Sequence, residues 1–389
     1  MRDDPTLPLV FTRHEALAAG MSRHQIAHRV RTRNWRPLRR TVYIEERRYA
    51  ALTEREQHTT AVVATLMARA DGTEVNPDLL QASIDRASAS HSPVVASHLS
   101  AAVAYGWVLP LAGAGPVTLT EGNLDAPTRR VHVRGRGRGR GREQDLTVQV
   151  ASLPDSDVST CITDIAGTRC EVRTTSRART VADNVRHLPN ADGVALADAA
   201  LRDARVSYEQ IAAVLDRQAG WPYAERGRRA LPLVDPRRES WLESFSFVTL
   251  HQMGLPMPEP QVSLFDSRGR FVGRVDGWLE REALALEPDG RAKYFLDEQP
   301  RSADIDRATD DLLELARRRM IKEKERRDRI VDLGSELVRW GTREIVRSPR
   351  EVYAQIAVAR RRGDAERFTG RTVYLPAPAW LLPNRRRVS

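Results

Sequence analysis

The chain has 389 residues, of which 41% are hydrophobic and 29% charged, with a formal net charge of +10. That balance describes a folded protein of two or three domains rather than a disordered chain, and the excess positive charge points to a polyanionic partner such as nucleic acid. No apolar run approaches the ~20 residues needed to cross a bilayer, and the opening MRDDPTLPLV lacks the basic-then-apolar order of a secretory signal, so no membrane partner is expected. Cys161 and Cys170 are the only cysteines. Their spacing leaves a disulfide open, but a reduced, cytoplasmic setting fits them better.

Residues 1–49 read as a compact basic unit. The first fifty residues carry eleven arginines against five acids, a net +6 on about an eighth of the chain. Thr12 with Glu15 and Ser22 with Gln25 fit the capping box, in which a hydroxyl and a side chain three residues on satisfy exposed backbone donors. Ala18-Ala19-Gly20-Met21 between them suits a helix-turn-helix. The second helix, Arg23 to about Arg33, places Ile26 and Val30 on one face and basic residues on most of the rest. Trp35 to Ile44 then reads as a basic β-wing. The plainer alternative is a solvated helical hairpin at a domain edge.

Residues 50–234 read as mixed α and β. Helices are expected over Glu54–Arg69, Ser97–Tyr105, Ala178–Arg186, Val194–Arg205 and Tyr208–Arg217, with strands at Gly115–Thr120 and Gln144–Val150. Ser97 is expected as an N-cap. The run RGRGRGRGR, Arg134 to Arg142, lacks the strand-to-helix junction of a phosphate loop and is read as a solvated hairpin insertion, with flexible nucleic-acid binding as the alternative.

Residues 235–365 carry the chemistry. Pro236 to Met253 is predicted as one helix, in which Glu243 is the lone charge of WLESFSFVTL. FVGRVDGWLEREALALEPDGRAKY, Phe271 to Tyr294, reads as two strands and a turn. Eleven residues separate Asp276 from Glu287, enough for a hairpin to bring both carboxylates to one end of adjacent strands. Converging carboxylates near a lysine are what magnesium needs for phosphodiester chemistry. The chain has only three lysines, Lys293, Lys322 and Lys324, and Lys293 lies six residues after Glu287. A lysine exchanges protons where an arginine does not. A long basic helix from about Asp306 to Leu333, a strand at Leu337–Trp340, and a last helix capped by Ser348 with Glu351 complete the domain. Residues 366–389 form a basic tail, read as disordered from Pro383 on.

Two resemblances follow from these blocks. FTRHEALAAGMSRHQIAHRVRTRNWRPLRRTVYI resembles the N-terminal winged-helix domain of AbiEi-type antitoxins of type IV toxin–antitoxin systems, and ASHLSAAVAYGW and TTSRARTVADNVRHLP resemble that family's later blocks. The likeness implies duplex DNA binding through Arg23, His24, His28 and Arg31 of the second helix and Arg39 and Arg40 of the wing, with a cognate toxin as a further partner. Over roughly Ser240 to Ala359, the blocks LESFSFVTLHQMGLPMPEPQ, GRVDGWLE, LALEPDGRAKY, EKERRDRIVDLG and LVRW resemble the restriction-endonuclease-like PD-(D/E)XK fold, and within it proteins related to very-short-patch-repair (Vsr) endonucleases. That likeness implies Asp276 and Glu287 as magnesium ligands and Glu243 as an auxiliary carboxylate. Asp289 stands where the pattern has its catalytic lysine, Lys293 is placed to supply the missing cation, and Arg339 lies on the neighbouring strand. Pro288, inside the same strand, is a second departure from the pattern.

The expected fold is therefore an α/β (α+β) multi-domain protein: winged helix-turn-helix, mixed middle domain and nuclease-like domain. Two functions follow, a magnesium-dependent nuclease or a non-catalytic DNA-binding regulator of the antitoxin type.

Overall fold

The computed structural model describes residues 7–70, 94–107, 115–122, 129–133, 146–290 and 305–381; for residues 70, 129–133, 305–316, 319 and 320 it describes the backbone alone. The RGRGRGRGR run, Lys293 and the residues after Leu381 lie outside the described residues. Among the described residues the fold is mixed α/β with three sheets. Contact density divides it into two units, 1–188 with 203–228, and 189–202 with 229–389. The expected boundaries at 49/50 and 234/235 cut the chain differently, because the Asn190–Arg202 helix belongs to the second unit.

In the first unit, strand β1 (Phe11–Thr12) leads into the Arg13–Ala18 helix, followed by the Arg23–Arg31 helix and the strands β2 (Trp35–Arg39) and β3 (Val42–Glu45). Both predicted capping boxes form, at Thr12–Glu15 and Ser22–Gln25. The small sheet has the order β1-β3-β2. Phe11, Ala16, Met21, Ile26 and Trp35 pack beneath the two helices, with the Phe11 and Trp35 rings edge-on at 4.7 Å. A second cluster joins Val42 and Ile44 of this sheet to Ala64 and Ala68 of the Glu54–Ala70 helix and to Ile165.

A six-stranded sheet follows, formed by β4 (Val94–Ala96), β5 (Val117–Gly122), β6 (Arg129–Val133), β7 (Leu146–Ala151), β8 (Val158–Ile165) and β9 (Thr168–Thr175), in the order β6-β7-β5-β4-β9-β8. Cys161 and Cys170 are both free thiols on its β8–β9 hairpin. The Arg177–His187 helix buries a charged network. Arg179 donates to Asp183 at 2.8 Å and to Asp157 at 2.9 Å, and Arg186 donates to Asp183 at 2.7 Å. Burial alone would raise the Asp183 carboxyl, but Arg179 and its neighbours outweigh that cost and hold it well below the ordinary carboxylate range.

The second unit is a three-layer sandwich. Its sheet is formed by β10 (Glu259–Phe265), β11 (Phe271–Leu279), β12 (Leu284–Asp289), β13 (Glu336–Gly341) and β14 (Arg371–Val373), in the order β13-β12-β11-β10-β14. Alternation along β12 assigns its side chains to opposite faces. Leu284 and Leu286 pack with Phe247 and Leu250 of the Trp241–Gln252 helix and with Val352 and Ile356 of the Pro349–Arg362 helix. Ala285 packs on the other face with Trp278, and with Ile330 of the Ile305–Asp332 helix.

Three local expectations are corrected. The helix expected from Pro236 starts at Trp241, with Ser240 as its N-cap. Asp235 is used in tertiary contacts instead: its backbone N–H donates to Asp198 at 2.7 Å, and its carboxylate accepts from Arg237 at 2.7 and 2.9 Å. Ser348 begins the last helix without a side-chain capping bond, because a short helix, Thr342–Arg347, runs directly into it. Ser97 likewise precedes its helix without capping it; its hydroxyl bonds His98 Nδ1 at 3.0 Å.

Candidate functional site

The antiparallel register pairs Gly277 with Leu286, so the next step along the hairpin brings Asp276 opposite Glu287. Both line one open cavity of about 540 Å³, together with Asp289, Arg326, Arg329 and Arg339. Glu287 is 4% exposed and Asp276 partly buried.

Glu243 sits in the first turn of the Trp241–Gln252 helix and is 5% exposed. It is not among the cavity's lining residues, so it stands behind the site rather than at its rim. Its carboxylate accepts from Ser240 Oγ at 2.7 Å, from the backbone N–H of Glu239 at 2.9 Å, and from Gln261 Nε2 at 2.8 Å. Gln261 also lies beside Asp276 and favours its ionised form. Its backbone adopts φ +56°, a left-handed conformation unusual for a side-chain-bearing residue inside a strand. Sequence reasoning missed Gln261; the only signal was its place in the PEPQ block.

Burial, then the charges of Glu243 and Glu287, push the Asp276 carboxyl up to about 7, while Arg326 and Gln261 act in the opposite direction. Glu287 is bonded differently. Oε1 accepts from Arg326 at 2.6 Å, and Oε2 accepts from Arg339 Nε at 3.0 Å and also from its terminal nitrogen. Glu323 Oε1 accepts from Arg339 at 2.5 Å and lies 3.2 Å from Arg326. Burial disfavours both guanidinium charges, but Glu287 and Glu323 more than offset it and raise both arginines. Arg326 and Glu323, from the Ile305–Asp332 helix, were not singled out from sequence, where EKERRDRI reads only as a basic helix face.

Asp289 follows at the end of β12, opposite Gly341 of β13. Pro288 lies past the Gly277–Leu286 pair, so its missing N–H falls where β12 has no recorded partner on β11. Lys293 is outside the described residues. Among the described residues, no group of three or more His, Cys, Asp or Glu side chains is placed to hold a metal ion. Magnesium is nonetheless commonly held by one or two carboxylates, with water and substrate phosphates completing the shell. Asp276 and Glu287 fit that donor set, since an added cation would relieve the like-charge crowding that raises Asp276.

The basic surface of the first unit is separate chemistry. Ile26 is 2% exposed and Val30 half-buried, while Arg23, His24, His28 and Arg31 are exposed. Arg31 and His28 Nδ1 lie 3.2 Å apart. Arg40 is exposed at the β2–β3 turn, whereas Arg39 is half-buried and donates through Nε to Thr65 at 2.8 Å. Among the described residues no helix is long and apolar enough to cross a membrane. No protein-family model matches the chain, and no curated protein sequence matches it.

Proposed function

We propose that this protein is a DNA-binding protein whose second unit carries out divalent-cation-dependent phosphodiester cleavage. In this reading the two capped helices and the following hairpin are a winged helix-turn-helix that meets duplex DNA through Arg23, His24, His28 and Arg31. The second unit is then of the PD-(D/E)XK type: its sheet, covered by helices on both faces, supports that assignment. The observation that carries the reading is the cross-strand placement of Asp276 and Glu287 on one cavity wall, with Asp276 crowded by two other carboxylates.

Asp276 and Glu287 would hold magnesium. The ion would polarise the phosphate and lower the pKa of water. Arg326 and Arg339 bring positive charge to the cavity wall, in place of the lysine that Asp289 displaces.

The test is incubation of the full chain with duplex DNA, single strands and RNA in magnesium, manganese or chelator. Cleavage that needs the cation and disappears in Asp276→Ala, with duplex binding retained, is the expected outcome. Absence of cleavage of every substrate with either ion would sink the nuclease reading.

One observation favours a second reading: both oxygens of Glu287 are already held by guanidiniums. A site neutralised in this way suits a non-catalytic DNA-binding regulator of the antitoxin type, with a cognate toxin as partner. Salt-sensitive duplex binding without cleavage is its expected signature.

A further inference from the structure

A buried glutamate needs only one guanidinium, since a single arginine can donate to both oxygens. Glu287 has two, and those two arginines share a second acid, Glu323. The four side chains form a charge-neutral ring. Its members are not equally enclosed: the Glu287 side chain is 5% exposed, whereas those of Arg326, Arg339 and Glu323 are 25%, 28% and 29% exposed, and all four line the cavity. Both guanidiniums are partly exposed on the cavity wall while already bonded, Arg326 through all three nitrogens, with Nη1 on the Arg274 carbonyl at 3.2 Å, and Arg339 through Nε and one terminal nitrogen. Planar donor forks of this kind match the two non-bridging oxygens of a phosphodiester. Arg274 and Arg329 also line the cavity, Arg274 paired with Glu239 at 2.9 Å.

We propose that Arg326 and Arg339 are a phosphodiester-binding pair that exchanges between Glu287 and the bound phosphate, so that anion binding frees Glu287 to join Asp276 in holding a cation. The inference rests on the phosphodiester reading above and adds to it which residues take the phosphate and why the two ligands depend on each other. While both guanidiniums sit on Glu287, a divalent cation approaching that carboxylate meets two positive charges. A phosphate that draws the arginines away removes that repulsion and adds its own oxygens to the cation's shell. By linkage, the cation must strengthen phosphate binding by the same factor. An ion-pair network with only a structural role would show neither dependence.

The probes are manganese, inorganic phosphate and thymidylyl-thymidine, the last too short to engage the Arg23–Arg31 helix as duplex DNA would. Titration calorimetry on the full chain should show manganese affinity rising tenfold or more when the dinucleotide is present. In chelator, Glu287→Gln, which releases the arginines, should bind the dinucleotide at least tenfold more tightly than the wild type, and its manganese binding should no longer respond to the dinucleotide. Arg326→Gln with Arg339→Gln should lose tenfold or more in dinucleotide affinity and bind manganese without it. Lysines at both positions keep the charge without the fork and should fall between; circular dichroism checks that each variant is folded. Inorganic phosphate binding as tightly as the dinucleotide supports a free or terminal phosphate as ligand; tighter dinucleotide binding supports a nucleic-acid backbone. The proposal is overturned if Glu287→Gln binds no more tightly than the wild type, or if dinucleotide affinity survives loss of both arginines. Coupling without cleavage removes the nuclease reading alone, whereas cleavage without coupling removes this inference alone.

Discussion

Glu287 and Arg339 stand in register on neighbouring parallel strands, and the arginine Nε lies 3.0 Å from Glu287 Oε2. The pairing ties the chemistry of the cavity to the sheet, because the strand that supplies the acid is held by the strand that supplies its cation. Removing the arginine leaves the buried carboxylate with Arg326 alone. Losing one partner of a buried pair usually costs about 3–5 kcal/mol. Arg339 is about a quarter exposed and Arg326 remains, so Arg339→Met should cost about 1–2 kcal/mol in urea unfolding. An unchanged midpoint would show that the pair contributes nothing to the stability of the second unit.

The exposed face of the Arg23–Arg31 helix gives a salt-dependence prediction. Each phosphate neutralised by an arginine releases a counterion, so Arg23→Ala and Arg31→Ala should each lower the slope of log affinity against log salt by about 1. Arg39→Ala should act differently, because that side chain is bonded to Thr65 in the Glu54–Ala70 helix. Its loss should lower the melting temperature more than the salt slope. Fluorescence anisotropy on duplex DNA between about 50 and 200 mM salt measures the first effect and thermal unfolding the second. Equal slopes for all three variants and the wild type would remove this helix from the DNA interface.

Gly277 makes the hairpin's fit against the Trp241–Gln252 helix testable. A Cβ at this position would lie 2.6 Å from Phe247 Cζ, and Phe247 is fully buried with nowhere to swing. Overpacking of this kind typically costs about 1–3 kcal/mol, so Gly277→Ala should be destabilised by that order in thermal or chemical unfolding. Combining it with Phe247→Leu should recover part of the loss. Additive losses would mean that the clash is relieved some other way.

What the sequence made legible was local. The boxes at Thr12 and Ser22 form because both partners lie within one helical turn, and Tyr208–Arg217 is bounded as expected by its own cap at Ser207. The opposition of Asp276 and Glu287 could be read because a hairpin turns spacing into register. The rest depends on contacts between distant segments. Arg326 reaches Glu287 across 39 positions, and nothing in EKERRDRI distinguishes it from Arg327 or Arg329. Gln261 matters through a left-handed backbone and its bond to Glu243 on another element, neither of which leaves a pattern in PEPQ. Asp235-Pro236 carries a sound local helix-start signal that Asp198 and Arg237 override.

The raised Asp276 carboxyl makes stability depend on pH with a definite sign. Its ordinary value is 3.8 and its folded value about 7. Below about pH 4 the proton is bound in both states, and the residue adds no pH dependence. Between these values the unfolded chain releases the proton and the folded chain keeps it, so stability falls as pH rises; above about 7 the penalty is complete and constant. The amide introduced by Asp276→Asn has no such proton to lose. In chelator, the variant's stability relative to the wild type should therefore improve from pH 5 to about pH 7 and then level off, measured by chemical denaturation at each pH. Asp198, also pushed up to about 7 by burial, is present in both chains and cancels in the difference. A difference that stays flat from pH 5 to pH 8 would show that burial and the neighbouring acids together do not raise Asp276, and would remove one support of the cation site.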